Sequence, residues 1–316
     1  MGKKTRNRAA AADAGENPRR PCPCGSGKRY KNCHGAGDDV IVIRPFDGLA
    51  AEPDLIAMRE FLPSATAELP LRSSDGGPVT LGSVLPGASA ALVRDDGEQL
   101  LGMQTQTRSG DLSADLAGAL AWARAAEPGS SLPVVGPGRR SASGSERLQD
   151  VLDPDTPLDV TLHKDFSWWL TGEPDAEETA ALERANSVIL PTERVDAPGV
   201  RAAYWVDTGT KAHLRWVRPE PEDRLMGALA RLSERGELQL SEEDGAGRYA
   251  GSFRAHGLLV PVWDLDREMH PSEWAGPAET FAARLDEVLA GLDDEPLTVA
   301  EHRARDVLAG KQITLR

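Results

Sequence analysis

The chain has three cysteines in 316 residues, and Cys22, Cys24 and Cys33 all fall within twelve positions, followed directly by His34. The spacing C-x-C-x8-C-H offers three thiolates and an imidazole, a donor set that zinc takes tetrahedrally in structural sites. Four protein donors leave no coordination position for water, so the pattern predicts one structural ion and argues against hydrolytic metal chemistry. An odd number of cysteines does not suit a disulfide framework. Gly25 and Gly27 can adopt the positive φ that a tight turn around a metal needs. Three thiolates with a neutral imidazole leave the centre at about −1, which Lys28, Arg29 and Lys31 offset. So short a knuckle has almost no core, and metal binding must supply its folding free energy, on the order of 10 kcal/mol.

The run Pro21-Cys22-Pro23-Cys24-Gly25-Ser26-Gly27-Lys28-Arg29-Tyr30-Lys31-Asn32-Cys33-His34-Gly35 resembles the SEC-C motif, the zinc-binding tail of the SecA preprotein translocase ATPase. The motif pattern C-P-C-G-S-G-K-K-Y-K-x-C-C/H is met at every ligand position. The resemblance implies a docking module: in the translocase the motif contacts the acidic export chaperone SecB and the ribosome. Carried onto this chain, the contact residues are Lys28, Arg29, Tyr30 and Lys31. Nothing else in the sequence resembles the translocase, so no transport activity is implied.

Charge is divided along the chain. Residues 1–34 hold nine Lys or Arg against Asp13 and Glu16, a net +7, so with −14 overall the remainder carries −21. An acidic body repels nucleic acid and anionic membrane, which confines any polyanionic partner to the N-terminal arm and disfavours DNA. No apolar run approaches the ~18 residues of a membrane span. The basic start is not followed by the apolar core of a secretory signal, and Arg6 stands where myristoylation wants Ser or Thr. A cytoplasmic protein is expected.

The elements that would carry these residues emerge from comparing the chain with itself. Ser83-Val84-Leu85-Pro86 recurs as Ser187-Val188-Ile189-Leu190-Pro191, and Asp95-Asp96-Gly97 as Asp207-Thr208-Gly209. Each triplet sits between alternating apolar segments, the mark of a hairpin. Gly118-Ala119-Leu120-Ala121 recurs as Gly227-Ala228-Leu229-Ala230 within helices whose stripes align, Leu116, Leu120 and Ala123 with Leu225, Leu229 and Leu232. Extended segments over 158–162 and 262–265 lead to Trp169 and Trp274, and helices follow over 176–186 and 278–290.

These signals predict an α+β chain: an N-terminal zinc knuckle followed by two tandem antiparallel-sheet-plus-helix repeats. Residues 1–20 are expected to form a basic disordered arm, 21–35 the knuckle, and 36–78 a linker with one helix near 53–62. Repeat one spans 79–186 and repeat two 187–292. A C-terminal helix opens on the capping box Thr298-Val299-Ala300-Glu301, with Ala300, Ala304, Val307 and Leu308 as its stripe, and a short strand from Ile313 ends the segment 293–316. In layout the chain is similar to an uncharacterised actinobacterial family, domain of unknown function 5926, a resemblance that implies no activity.

Other candidates carry less. Gly25-Ser26-Gly27-Lys28 fails the phosphate-loop pattern, with Cys22 in place of its first Gly and Arg29 in place of Ser or Thr. Asp153, Asp155 and Asp159 lack the Gly and Glu of a calcium loop. His163 with Asp165, and His270 with Glu268 and Glu273, are the body positions that resemble acid/base pairs. Neither G-x-S-x-G nor H-E-x-x-H occurs, and no enzyme is expected. Trp168, Trp169, Trp205, Trp216, Trp263 and Trp274 are read as half-buried core residues, with an aromatic partner groove as the rival. Residues 136–145 read as a mobile basic loop.

The preferred function is therefore a zinc-knuckle adaptor for an acidic protein or the ribosome. Its rivals are an RNA tether through the arm and an enzyme with its site in a pocket between the repeats, near His163 or His270.

Overall fold

A computed structural model describes residues 41–106, 110–135, 146–241 and 247–313. The basic arm, the knuckle with Cys22, Cys24, Cys33 and His34, its basic loop from Lys28 to Lys31, and the 136–145 loop lie outside the described residues. The chain divides into the units Met1–Val40 and Ile41–Arg316, and every described residue belongs to the second.

The class is α+β, with two sheets and seven helices among the described residues. In chain order the first half runs α1 (Glu52–Glu60), β1 (Ala65–Glu68), β2 (Val79–Gly82), β3 (Ala91–Val93), β4 (Gln99–Gly102), α2 (Leu112–Ala125), β5 (Ser131–Leu132), α3 (Leu148–Val151), β6 (Thr161–Leu162) and α4 (Ala176–Asn186). The second half runs β7 (Thr192–Arg194), β8 (Ala203–Asp207), β9 (Ala212–Trp216), α5 (Glu222–Glu234), β10 (Arg248–Ala255), β11 (Leu258–Leu265), α6 (Ala275–Gly291) and α7 (Val299–Ala309). No helix among them is long and apolar enough to cross a membrane.

The anticipated hairpins join β3 to β4 and β8 to β9, with Gly97 and Gly209 at φ of 90° and 86° where the turns need them. Each is followed by a helix whose predicted stripe is buried. The strand wiring of the halves differs, however. The second sheet, in the order β10-β11-β9-β8-β7, is antiparallel throughout. The first, in the order β5-β3-β4-β2-β1-β6, pairs β2 with β4 in parallel, which corrects the expectation of an antiparallel sheet there. The cause is the 83–90 crossover, which carries the chain past β4 so that β4, returning from β3, runs alongside β2. Gly102 permits this path: a Cβ there would strike the Ser89 carbonyl, and its own N–H donates to Ala90 O at 2.9 Å.

Burial follows the layers. In the first sheet, β1 and β3 alternate buried and half-exposed residues, the pattern of a sheet with one dry face. In the second, β8 and β11 are buried almost without interruption, because both faces are covered. One face, with Tyr204, Val206, Phe253 and Val260, shares a core with α1, α2 and the first sheet. The other, with Trp205, Trp216 and Trp263, packs with α5, α6 and α7, where Phe281 meets Trp263 edge-on at 5.0 Å between centroids. The boundary between the halves is thus filled with apolar side chains.

The C-terminal helix departs from its predicted stripe. Ala300 is exposed and Val307 is 62% exposed, while Glu301 is buried with Leu308. The Arg231 guanidinium on α5 turns the helix this way by donating to Glu301 Oε1 at 2.8 Å. Beyond α7, Ile313 donates to Ser252 O, extending the sheet along the edge of β10 by an isolated parallel bridge from Gln312. Gly251, at φ 148°, leaves room there for the Lys311 carbonyl.

Candidate functional site

Sequence reasoning places its metal site on residues outside those described, so chemistry in the body has to be built from the residues upward. The two histidine pairs come first. His163 follows β6, and its Nε2 lies 2.8 Å from Thr66 Oγ1, with the Trp168 ring 5.6 Å away. Burial pushes its pKa below the ordinary value, against the opposing pull of Asp165, which favours a neutral ring. Asp165 itself accepts from Ser167 N at 2.8 Å, and hydrogen bonding from Ser167 holds its carboxyl low. The two groups are near one another but share no hydrogen bond. His270 precedes the 3-10 turn Pro271–Trp274, and its Nδ1 caps that turn by accepting from Ser272 N, leaving exposed Glu268 and Glu273 uninvolved. Both histidines hold local structure, one against a hydroxyl and an indole, the other at a helical N-terminus.

Asp153 likewise works as a turn residue, accepting from Asp155 N and Thr156 Oγ1. The tryptophans follow the core reading: Trp205, Trp216, Trp263 and Trp274 are buried, and Trp168 and Trp169 are half-buried against Phe166, with their indole N–H groups donated to Ser64 Oγ and Val84 O.

Clefts among the described residues include the following pair. A larger one of about 620 Å³ lies between the ends of α5 and α7 and the start of β10, with Arg248, Lys311 and Val307 on its walls. A smaller one of about 330 Å³ lies where Leu49–Pro53 approaches the second sheet and is lined by Arg201, Trp216, Arg218 and Asp286. Neither His163 nor His270 lines either. The arginines of the smaller cleft are neutralised in place: Arg201 pairs with fully buried Asp54 at 2.7 Å, and Arg218 with Glu220 at 2.5 Å and Asp286 at 3.2 Å. Burial raises the Asp54 carboxyl, while the hydrogen bond from Arg201 opposes that shift.

A charged group that sequence reading passed over lies on β9. Its strand reads Ala212-His213-Leu214-Arg215-Trp216, so His213 and Arg215 project to the same face, the one turned toward the first half. Across the ladder, His213 stands opposite Asp264, with Nδ1 3.2 Å from Oδ1, and Lys211 binds the other carboxylate oxygen at 2.5 Å. Burial pushes His213 below its ordinary pKa, with Asp264 pulling the other way. A second unanticipated pair joins His256 to Glu60 at 2.8 Å, and this bond holds the Glu60 carboxyl low. The available signal was a basic residue at alternate positions of an otherwise apolar strand.

Comparison with known proteins gives two matches. Residues 45–316 match the model of a family of unknown function, DUF5926, and residues 21–36 match the SEC-C motif. No curated protein and no solved structure matches the chain.

Proposed function

We propose that this chain, which belongs to the family of unknown function DUF5926, is a cytoplasmic zinc-knuckle adaptor. Cys22, Cys24, Cys33 and His34 hold one structural zinc, and Lys28, Arg29, Tyr30 and Lys31, on the loop shaped by that ion, dock an acidic protein partner or the ribosome. The observation that carries this reading is the donor set itself: three thiol groups and an imidazole at SEC-C spacing, within a matched SEC-C motif. When bound, zinc supplies the folding free energy of the loop and no open coordination site. The charge division supports the direction of docking, because the +7 of residues 1–34, ahead of the −21 carried by residues 35–316, offers an acidic surface a single attractive end.

The body, Ile41–Arg316, acts as a scaffold and second interaction surface and not as a catalyst. Supporting this are the apolar filling between its halves and the structural duties of His163 and His270. We read the halves as diverged copies of one unit, on the shared order of hairpin, helix, strand, 3-10 turn and helix.

The test is binding of the full chain to purified ribosomes and to an acidic export chaperone. Wild type is compared with Cys24→Ser and with a triple Lys28→Glu, Arg29→Glu, Lys31→Glu variant. Both variants should lose binding while keeping the cooperative melt of the body. Undiminished binding by both would reject the docking role. Binding that is abolished by ribonuclease and weakens steeply with salt would move the function to an RNA tether.

A further inference from the structure

In the second half of the body, Arg224, Arg231, Arg254, Arg267 and Arg305 each hold a carboxylate at 2.6–2.8 Å. Such pairing is expected where residues 35–316 carry a net −21. Arg248 and Lys311 depart from it. Both are exposed, both line the cleft of about 620 Å³ between the ends of α5 and α7 and the start of β10, and neither pairs with a carboxylate among the described residues. Asp264 stands directly opposite Arg248 on β11 and also lines the cleft. Its carboxylate is engaged from β9 instead, by Lys211 at 2.5 Å and His213 Nδ1 at 3.2 Å. The cleft is therefore a cationic place on an acidic body.

Lys311 is fixed at its root, because its N–H donates to Leu308 O and its carbonyl accepts from Ser252 N, each at 3.0 Å. Beside the two cations the cleft has an apolar side. Leu238 and Leu308 form its covered part, and Val307, next to Leu308 on α7, remains 62% exposed. Helix C-termini repel anions, and α5 and α7 both end here. Their last turns are capped by the chain that follows: Gly236 and Glu237 donate to Ser233 O and Leu232 O, and Gly310 and Lys311 to Asp306 O and Leu308 O. These bonds take up carbonyls that would otherwise face a ligand.

We propose that this cleft binds a small amphipathic anion, with its carboxylate or phosphate head on Arg248 and Lys311 and its apolar body along Val307, Leu308 and Leu238. The volume suits a small molecule, and an apolar wall with a few charged groups is the usual lining of such a site. Arg248 offers the forked donor that matches either oxyanion, and Lys311 adds a point charge. The site belongs to the body and does not depend on zinc in the knuckle.

The test is calorimetric titration of the full chain with sodium octanoate and, separately, sodium octyl phosphate. Sodium acetate supplies the head alone and 1-octanol the body alone. Wild type should bind at least one of the two amphiphiles at a single saturable site, about tenfold or more tighter than acetate or octanol, and the tighter head tells carboxylate from phosphate. Arg248→Gln with Lys311→Gln should weaken binding about tenfold or more. Lys164→Gln with Arg184→Gln removes the same charge from exposed positions outside the cleft and should bind as wild type does. Val307→Asp sets a negative charge on the cleft wall and should also weaken binding. The proposal is overturned if neither amphiphile saturates, if octanol binds as tightly as the anions, or if the Lys164/Arg184 pair weakens binding as much as the Arg248/Lys311 pair. Undiminished binding by the Arg248/Lys311 variant overturns it too, and should that variant fail to fold, undiminished binding by Val307→Asp does so equally.

Discussion

The second sheet of the body works between two apolar layers, while the first is dry on one face and only partly covered on the other, and the contrast is sharpest in the helices that end the two halves. On α6, Phe281, Leu285 and Val288 are buried against Trp216 and Trp263. On α4, which occupies the same place in the order of elements, no residue is buried, and Leu182 and Ala185 are only half covered. Both helices are well formed locally, α4 with a full capping box from Asp175 and Glu178. Local propensity therefore makes a helix in both places, and only tertiary packing makes α6 part of a core. The stability of the body should accordingly be concentrated around the second sheet.

Truncation tests that contrast most strongly. Phe281→Ala should cost about 3–5 kcal/mol in denaturant unfolding, against less than about 1 kcal/mol for Leu182→Ala. Similar losses at both positions would mean that α4 is as much a part of the core as α6.

A smaller effect sharpens the same comparison, because the second sheet's helical layer also contains an ion pair. Burial pushes the Glu301 carboxyl up, but hydrogen bonds from Arg231 and the Thr298 capping box outweigh it and hold the carboxyl below its ordinary value. A depressed carboxyl contributes stability that is present above the unfolded value and is lost as pH falls through the folded one. Glu301→Gln should therefore lower stability by about 2 kcal/mol at pH 7, the size of a hydrogen bond to a charged group. It should also flatten the acid loss that wild type shows below about pH 4.3, read from unfolding at several pH values. An unchanged acid limb would show that the pair contributes nothing there.

Periodicity serves well where one helix face is apolar. The helix expected over 176–186 has those bounds, and the predicted stripes of α2 and α5 are the buried ones. Periodicity tells which face of a strand is buried but not which strand lies beside it or in which direction, so the parallel β2–β4 pair is not legible. The β10–β11 hairpin escapes sequence reading because His256 and Gly257 form its two-residue turn, both at positive φ, without the usual Asn-Gly or Asp-Gly signal. The stripe of α7 is misplaced because Arg231, distant in sequence, draws Glu301 inward. The charged line on β9 follows the same logic: the partner of His213 is Asp264, and nothing local announces it. The SEC-C motif, by contrast, can be read because its three cysteines and one histidine fall in one short segment.

The central claim, that this segment holds one structural zinc, is tested most directly by elemental analysis of the purified full chain beside Cys24→Ser. One zinc per wild-type chain, none in the variant, and the same body melt in both is the predicted result. A wild-type chain without stoichiometric zinc, or a variant that keeps it, would contradict the account.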